Sequence, residues 1–290
     1  MSDAPLFIIG AGRSGSTLFF DLLSHHHGSS WASTILQKWP DRRRLNQAFL
    51  AAAHHPLTAD WARRRASPSE AYAYWDRDYP GFSDPMRDLR ADDASPRAAA
   101  RLRRSFEAIP SPKRPHLAIK ITGWPRVGFL NDIWPEGRFI HVVRDGRAFC
   151  NSLLNVPWWR GWQGPQNWRW GPLDADEQAL WERHDRSFVA LAGLQWNRLM
   201  AAAEASKEAL PTSRWMDVRY EDLCADPRGT FAQTLAFADW PSSKRLERAI
   251  ERRDVRSTDD KWRRDLSPRQ QEILTDVTRP WLERLGYLDD

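Results

Sequence analysis

The chain has 290 residues, 41% of them hydrophobic and 28% charged, with a formal net charge of +5. That length suits one large α/β domain or two small ones, and the hydrophobic share is enough for a sizeable core. A mean hydropathy of −0.66, with no run near the roughly eighteen apolar residues of a membrane span, points to a soluble protein without stable membrane anchoring. Cys150 and Cys224 are the two cysteines, too few for a disulfide framework or a cysteine-based zinc site. They suit a reducing cytoplasm. The start "MSDAPLFIIG" has no basic n-region and enters an apolar run at once, so no cleaved signal peptide is expected. Most of the 43 Lys and Arg read as a solvated surface, and a few could line a pocket for an anionic ligand.

The first element is an apolar strand over 6–9, followed by a glycine-rich turn and a helix over 17–25. Residues of about 40–115 are rich in Arg, Ala, Asp and Pro, with helical stretches and no clear strand, and read as a helical insertion capping a sheet. Within them "DDASPRAAARLRRSF" reads as a basic helix with a solvated face, ahead of a basic helix for a partner. Further short apolar runs at 117–121, 138–143 and 214–218 read as buried parallel strands. Helical patterns cover 146–155, about 178–206, 228–238, 243–253 and 268–285. Strands alternating with helices predict an α/β, P-loop-containing three-layer fold with a central, mostly parallel sheet, as one domain over 1–290. Trp158, Trp159, Trp162, Trp168 and Trp170 crowd one Gly/Pro-rich stretch, which reads equally as a pinned hydrophobic loop or as a lid.

"GAGRSGST", Gly10 to Thr17, has the G-x-x-x-x-G spacing of a phosphate-binding loop. Its glycines let backbone N–H groups turn inward, and the helix that follows adds its positive end. Ser14, Ser16 and Thr17 can donate hydroxyl hydrogen bonds. The Lys that a nucleotide triphosphatase uses on its β- and γ-phosphates is absent, and Arg13 is the loop's one cation. The loop therefore suits a phosphate with a less charged leaving group.

This stretch resembles the 5′-phosphosulfate loop of sulfotransferases that use 3′-phosphoadenosine 5′-phosphosulfate (PAPS), closest to the bacterial and tyrosylprotein-type enzymes. The resemblance implies PAPS as donor and adenosine 3′,5′-bisphosphate as product, with Arg13, Ser14, Gly15, Ser16 and Thr17 on the 5′ side. It extends to "RFIHVVRDGRAFCNSLL", where Arg144 and Ser152 would take the 3′-phosphate. An Arg at a strand end forks onto a phosphate, and a hydroxyl eight residues later adds a donor. Asp145 reads as a helix cap. In "HLAIKITGWP", Lys120 would approach the transferred group. In "VRYEDLCADP", Tyr220 would lie near the adenosine, with Glu221 and Asp222 as structural caps. In "STDDKWRRDL", Lys261 would reach the 3′-phosphate side, Trp262 would pack nearby, and Ser257 is the matching serine. The acceptor would be a hydroxyl (or amine) of a small molecule, lipid or saccharide.

The chain departs from the family's pattern at the base. Thr122 stands where cytosolic members have His, and "GSSWASTILQKWP" has no acid where another group has Glu. The insertion is the expected source, with Glu70 as first choice and Asp76 as second; Asp78, and His184 outside the insertion, come behind them. Glu70 also reads as the end of a capping box, Ser67-Pro68-Ser69-Glu70. Adjacent His25, His26 and His27 do not converge as helix-spaced metal ligands, and no metal site is expected. Two other classes fit less well. A P-loop small-molecule kinase lacks its Lys, and a non-enzymatic nucleic-acid binder would not interleave acids with its basic residues.

Overall fold

The computed structural model describes residues 4–84, 86–255, 257 and 260–288. Strand β1 (Leu6–Gly10) runs into α1 (Ser16–Leu23), and a two-residue strand, β2 (Ser29–Ser30), follows. Helix α2 (Thr34–Lys38) leads into the insertion, which contains α3 (Arg43–Ala53), α4 (Ala59–Arg65), α5 (Tyr72–Asp78) and α6 (Pro96–Glu107). Next come β3 (His116–Thr122), α7 (Val127–Ile133), β4 (Arg138–Val143) and α8 (Gly146–Leu154). Then follow α9 (Ala175–Arg183), α10 (Phe188–Glu208), β5 (Trp215–Arg219) and α11 (Tyr220–Ala225). The chain continues through α12 (Pro227–Ala238), α13 (Lys244–Arg252), α14 (Lys261–Asp265) and α15 (Pro268–Arg284).

The five strands lie in the order β2-β3-β1-β4-β5, all parallel; four were expected from their apolar runs, and β2 was not. Every residue of β1 is buried. One apolar cluster joins the sheet to α1, α7, α12, α13 and the insertion. A second gathers α8, α10, α14 and α15. Phe19 of α1 stacks on Phe231 of α12, ring centroids 4.9 Å apart. Within the insertion, buried Trp75 stacks on Phe82 and packs on Phe106, each at 4.1 Å. The insertion thus shares the core of the sheet it covers.

Local signals set the helix ends. Ser95 caps α6 by accepting from Ala98 N, with Pro96 in the first turn. Ser267 and Gln270 form a capping box on α15. The single helix expected over about 178–206 is two. Asp185 and Arg186 adopt left-handed φ values of 53° and 57°, and Ser187 then caps α10 by accepting from Val189 N at 3.2 Å. The Trp-rich stretch is divided between core and surface. Trp159, Trp168 and Trp170 are buried in the second cluster, while Trp158 and Trp162 are each 58% exposed.

Candidate active site

The sheet register places the chemistry. Lys120 lies opposite Ile8, and Thr122 opposite Gly10, where the glycine-rich loop begins. On the other side of β1, β4 ends at Val143, whose partner on β5 is Arg219. The next residues of those strands, Arg144 and Tyr220, therefore emerge side by side, and the guanidinium sits 4.5 Å over the phenol ring. Loop, Lys120, Arg144 and Tyr220 all meet outside the carboxyl ends of parallel strands, where sheets of this kind bind ligands.

The loop folds as its glycines require. Gly15 has φ 89° and packs so closely on Tyr220 that a Cβ there would lie 2.1 Å from the ring. Arg13 is itself left-handed, at φ 78°. Its Nε donates to Ser152 Oγ at 2.9 Å, and its carbonyl accepts from Arg144 Nη1 at 3.2 Å. The loop is thus tied to both candidate 3′-phosphate residues. Asp145 caps α8, accepting from Arg147 N at 2.7 Å. Glu221 holds the backbone behind it, accepting from Asp145 N and from the Tyr287 hydroxyl, both at 3.0 Å.

Beside the loop lies an acid–base cluster. Lys120, 3% exposed, donates to Thr17 Oγ1 at 2.8 Å and reaches Glu70 Oε1 at 2.9 Å. Glu70 Oε1 also accepts from Thr122 Oγ1 at 3.4 Å. Tyr72 fixes this corner. Its hydroxyl donates to Thr122 O at 2.8 Å and accepts from Thr122 N at 3.0 Å. Burial pushes the Tyr72 phenol's pKa up, so it holds the strand end as a neutral hydroxyl.

A cavity of about 640 Å³ opens over these groups, within the usual range for small-molecule sites. Arg13, Gly15, Ser16, Thr17, Glu70, Arg144, Ser152, Tyr220 and Lys261 line it. Lys120 stands just behind, through its bonds to Thr17 and Glu70. Ser14 is buried beneath the loop, and its Oγ has no hydrogen-bond partner among the described residues. Ser257 is exposed and does not line the cavity.

Glu70 does not cap a helix. α5 begins at Tyr72 after left-handed Ala71, Pro68 bridges to Ser33, and Ser69 Oγ accepts from Ala71 N. The other candidate bases are occupied away from the cavity. Asp76 accepts from Ser83 N and Oγ, Asp78 is paired with Arg77 and Arg101, and His184 Nε2 is 2.8 Å from Asp276. The sequence reading missed Asn151, Asn155 and Asp265 in the lining, while Val156 and Trp158 come from the Trp-rich stretch it had weighed as a lid. Asn151 Nδ2 donates to Asp265 at 2.9 Å and so fastens α14 to α8. An i, i+4 pair (Asn151, Asn155) one turn beyond Arg144's helix start was the available signal.

The fold and sequence have known counterparts. The omega-hydroxy-beta-dihydromenaquinone-9 sulfotransferase Stf3 of Mycobacterium bovis and of Mycobacterium tuberculosis are each 22% identical to this chain over 260 residues, 79% of it. The chain spans 61% of the length of these curated relatives. The crystal structure of sulfotransferase STF9 from Mycobacterium avium superposes with a TM-score of 0.63 at 17% identity, covering 98% of this chain and 77% of that one. The sulfotransferase domain from the curacin biosynthetic pathway gives 0.54 at 16%, covering 98% of both chains. These likenesses establish a shared fold. A model of the sulfotransferase family matches residues 5–244, the greater part of the sequence, and the chain therefore belongs to the sulfotransferase family.

Proposed function

We propose that residues 1–290 form a single sulfotransferase domain that moves a sulfuryl group from PAPS to a hydroxyl (or amine) of a small-molecule, lipid or saccharide acceptor. Family membership supports the reaction class. The observation that carries the reading is the meeting, in one cavity, of the glycine-rich loop, the Lys120–Glu70 pair and the Arg144–Ser152 corner.

The residues fit the donor. The loop N–H groups and the start of α1 form an anion cradle, and buried, unpartnered Ser14 Oγ lies under it. When bound, PAPS supplies an activated sulfuryl group on its 5′-phosphate. Arg13, Ser16 and Thr17 hold that end. Arg144 and Ser152 hold the 3′-phosphate, with Lys261 at its edge, and Tyr220 borders the adenosine. Lys120 stabilises negative charge developing beside Thr17. Glu70 accepts the proton of the acceptor hydroxyl, because it is the cavity's carboxylate nearest Lys120 and Thr17. Val156 and exposed Trp158 form an apolar lip on which an acyl chain or ring can rest. The relatives named for a hydroxylated menaquinone support a lipid hydroxyl among the acceptor classes.

A thermal-shift series with ATP, AMP and adenosine 3′,5′-bisphosphate tests the reading. The bisphosphate raises the melting temperature well beyond AMP. An ATP response that needs Mg²⁺ would favour a kinase, and no response to any nucleotide would remove the donor site.

A further inference from the structure

One surface feature lies outside the proposed reaction. A cleft of about 460 Å³ between α1, α4 and α13 is lined by five arginines, Arg63, Arg245, Arg248, Arg252 and Arg253, against two aspartates, Asp21 and Asp60. The sequence dictates part of this. Residues 245, 248 and 252 follow i, i+3, i+7 spacing, which puts three guanidiniums on one face of α13. Arg63, at the C-terminal end of α4, faces them.

The floor arginines are held in place. Arg63 donates to Ser24 Oγ at 2.8 Å and to Ser24 O at 2.9 Å, and lies 5.2 Å over the Trp31 ring. Arg245 donates to His54 O at 2.6 Å and Ala53 O at 2.7 Å. The Nε atoms of both are buried without a partner among the described residues. The rim arginines are less engaged. Arg253 reaches Asp21 only at 4.0 Å, and Arg248 and Arg252 have no hydrogen-bond or ion-pair partner among the described residues. Like charges so gathered repel one another, and a low-dielectric floor strengthens the field. His25, which also lines the cleft, reports it. Burial, and then Arg63, Arg245, Arg253 and Arg252, pull its pKa down to about 3.

We propose that this cleft binds a small multivalent anion carrying phosphate or sulfate groups. A pre-set floor of guanidiniums with two exposed arms above it is the geometry that forks onto such groups. The cleft is separate from the proposed reaction site but shares α1 with it. Thr17 and Leu18 line the first cavity, and Asp21, Leu22 and His25 line the second. The offset is roughly one helical turn, about 6 Å.

The test is calorimetric titration of inorganic pyrophosphate, with inorganic sulfate in parallel, at constant ionic strength, on wild-type protein and on R248A/R252A. Both arginines are exposed, so the double variant keeps its unliganded melting temperature. The wild type binds saturably, and the His25 ring resonances move with the same half-saturation point. The double variant binds roughly a hundredfold more weakly, about tenfold for each charge-assisted hydrogen-bonding arginine removed. The stronger of the two anions identifies phosphate or sulfate as the preferred group. Equal affinity in both proteins overturns the proposal, and so does binding that leaves His25 unmoved. A wild-type response reproduced by sodium chloride reduces the cleft to a screened basic surface and overturns it as well.

Discussion

Replacing Glu70 with Gln removes one negative charge and one proton acceptor at nearly constant volume. Two consequences have different sizes. The structural one concerns Lys120, whose side chain is 3% exposed against 26% for Glu70. Gln keeps an oxygen toward the ammonium, and Thr17 Oγ1 continues to accept from it at 2.8 Å. The loss is that of turning an ion pair with a partly exposed carboxylate into a hydrogen bond from the ammonium to a neutral oxygen, about 1–2 kcal/mol. The chemical consequence is the loss of the base, which lowers kcat by roughly two to four powers of ten, or about 3–5 kcal/mol in the barrier.

The assay separates the two. Turnover is followed with labelled PAPS at saturating acceptor, and equilibrium binding of adenosine 3′,5′-bisphosphate is measured on the same protein. A base role predicts a collapse of kcat with bisphosphate affinity unchanged. A role confined to holding Lys120 predicts that affinity and kcat fall together by the smaller amount, and that Lys120→Ala produces the same pattern. A Gln variant that turns over within about threefold of wild type refutes Glu70 as the base, since no general base contributes so little.

The remaining predictions concern the donor, the metal requirement and the fold. Arg144→Ala abolishes the preference for adenosine 3′,5′-bisphosphate over AMP. In wild type that ligand adds about 3 kcal/mol of stability at a hundredfold excess over Kd, read as a melting shift. Transfer survives excess EDTA, because Arg13, Lys120, Arg144 and Lys261 supply the cations around the cavity; loss on chelation with recovery by Mg²⁺ counts against this. Gly15→Ala forces a Cβ to within 2.1 Å of Tyr220 at φ 89°. It costs about 2 kcal/mol or more in strain and lowers both melting temperature and bisphosphate affinity. Burial pushes the Asp88 carboxyl up to about 6, although it accepts from Arg126 N at 2.7 Å. Its contribution to stability is therefore complete below about pH 4 and is lost as pH rises through about 6, a change of about 3 kcal/mol. Asp88→Asn flattens that slope in urea titrations between pH 4 and 7, and an unchanged slope rejects the assignment.

The parts of the fold legible in the sequence were those with a strong local signature. The four longer strands are apolar runs, buried almost throughout in β1, β3 and β4 and only partly in β5, and each was placed within about a residue of its observed bounds. β2 is Ser29–Ser30, fully buried but with no apolar residue to mark it. It pairs with His116 and Leu117, and its serines are satisfied by backbone carbonyls. The break between α9 and α10 was hidden because helical periodicity runs on across it. The deciding event is two left-handed residues, Asp185 and Arg186, neither of them glycine. On the donor side, loop spacing and strand ends carry the information. Parallel register then brings 13, 144, 152 and 220 together without further instruction.

Glu70 shows where local reasoning stops. Ser67-Pro68-Ser69-Glu70 satisfies the rule for a helix start, yet tertiary contacts use the stretch otherwise. Pro68 bridges to Ser33, and Ser33 is itself held by Asn46, which accepts from both its N and its Oγ. Those bonds draw the stretch against the end of α2, and Ala71 turns left-handed before α5 can begin. The carboxylate that a cap would have spent on backbone N–H groups is instead delivered to Lys120. The energetic reason lies in the lysine. An ammonium 3% exposed in the central sheet needs an anion, and no residue beside it on β3 provides one, since its neighbours there are Ile119 and Ile121. The insertion must therefore lend a carboxylate to the strand, and the nearest end of the insertion that reaches the loop is the turn that carries Glu70. The capping pattern and the ion pair competed for one side chain, and the buried charge won because an unpaired ammonium there costs several kcal/mol while a helix cap is worth about one.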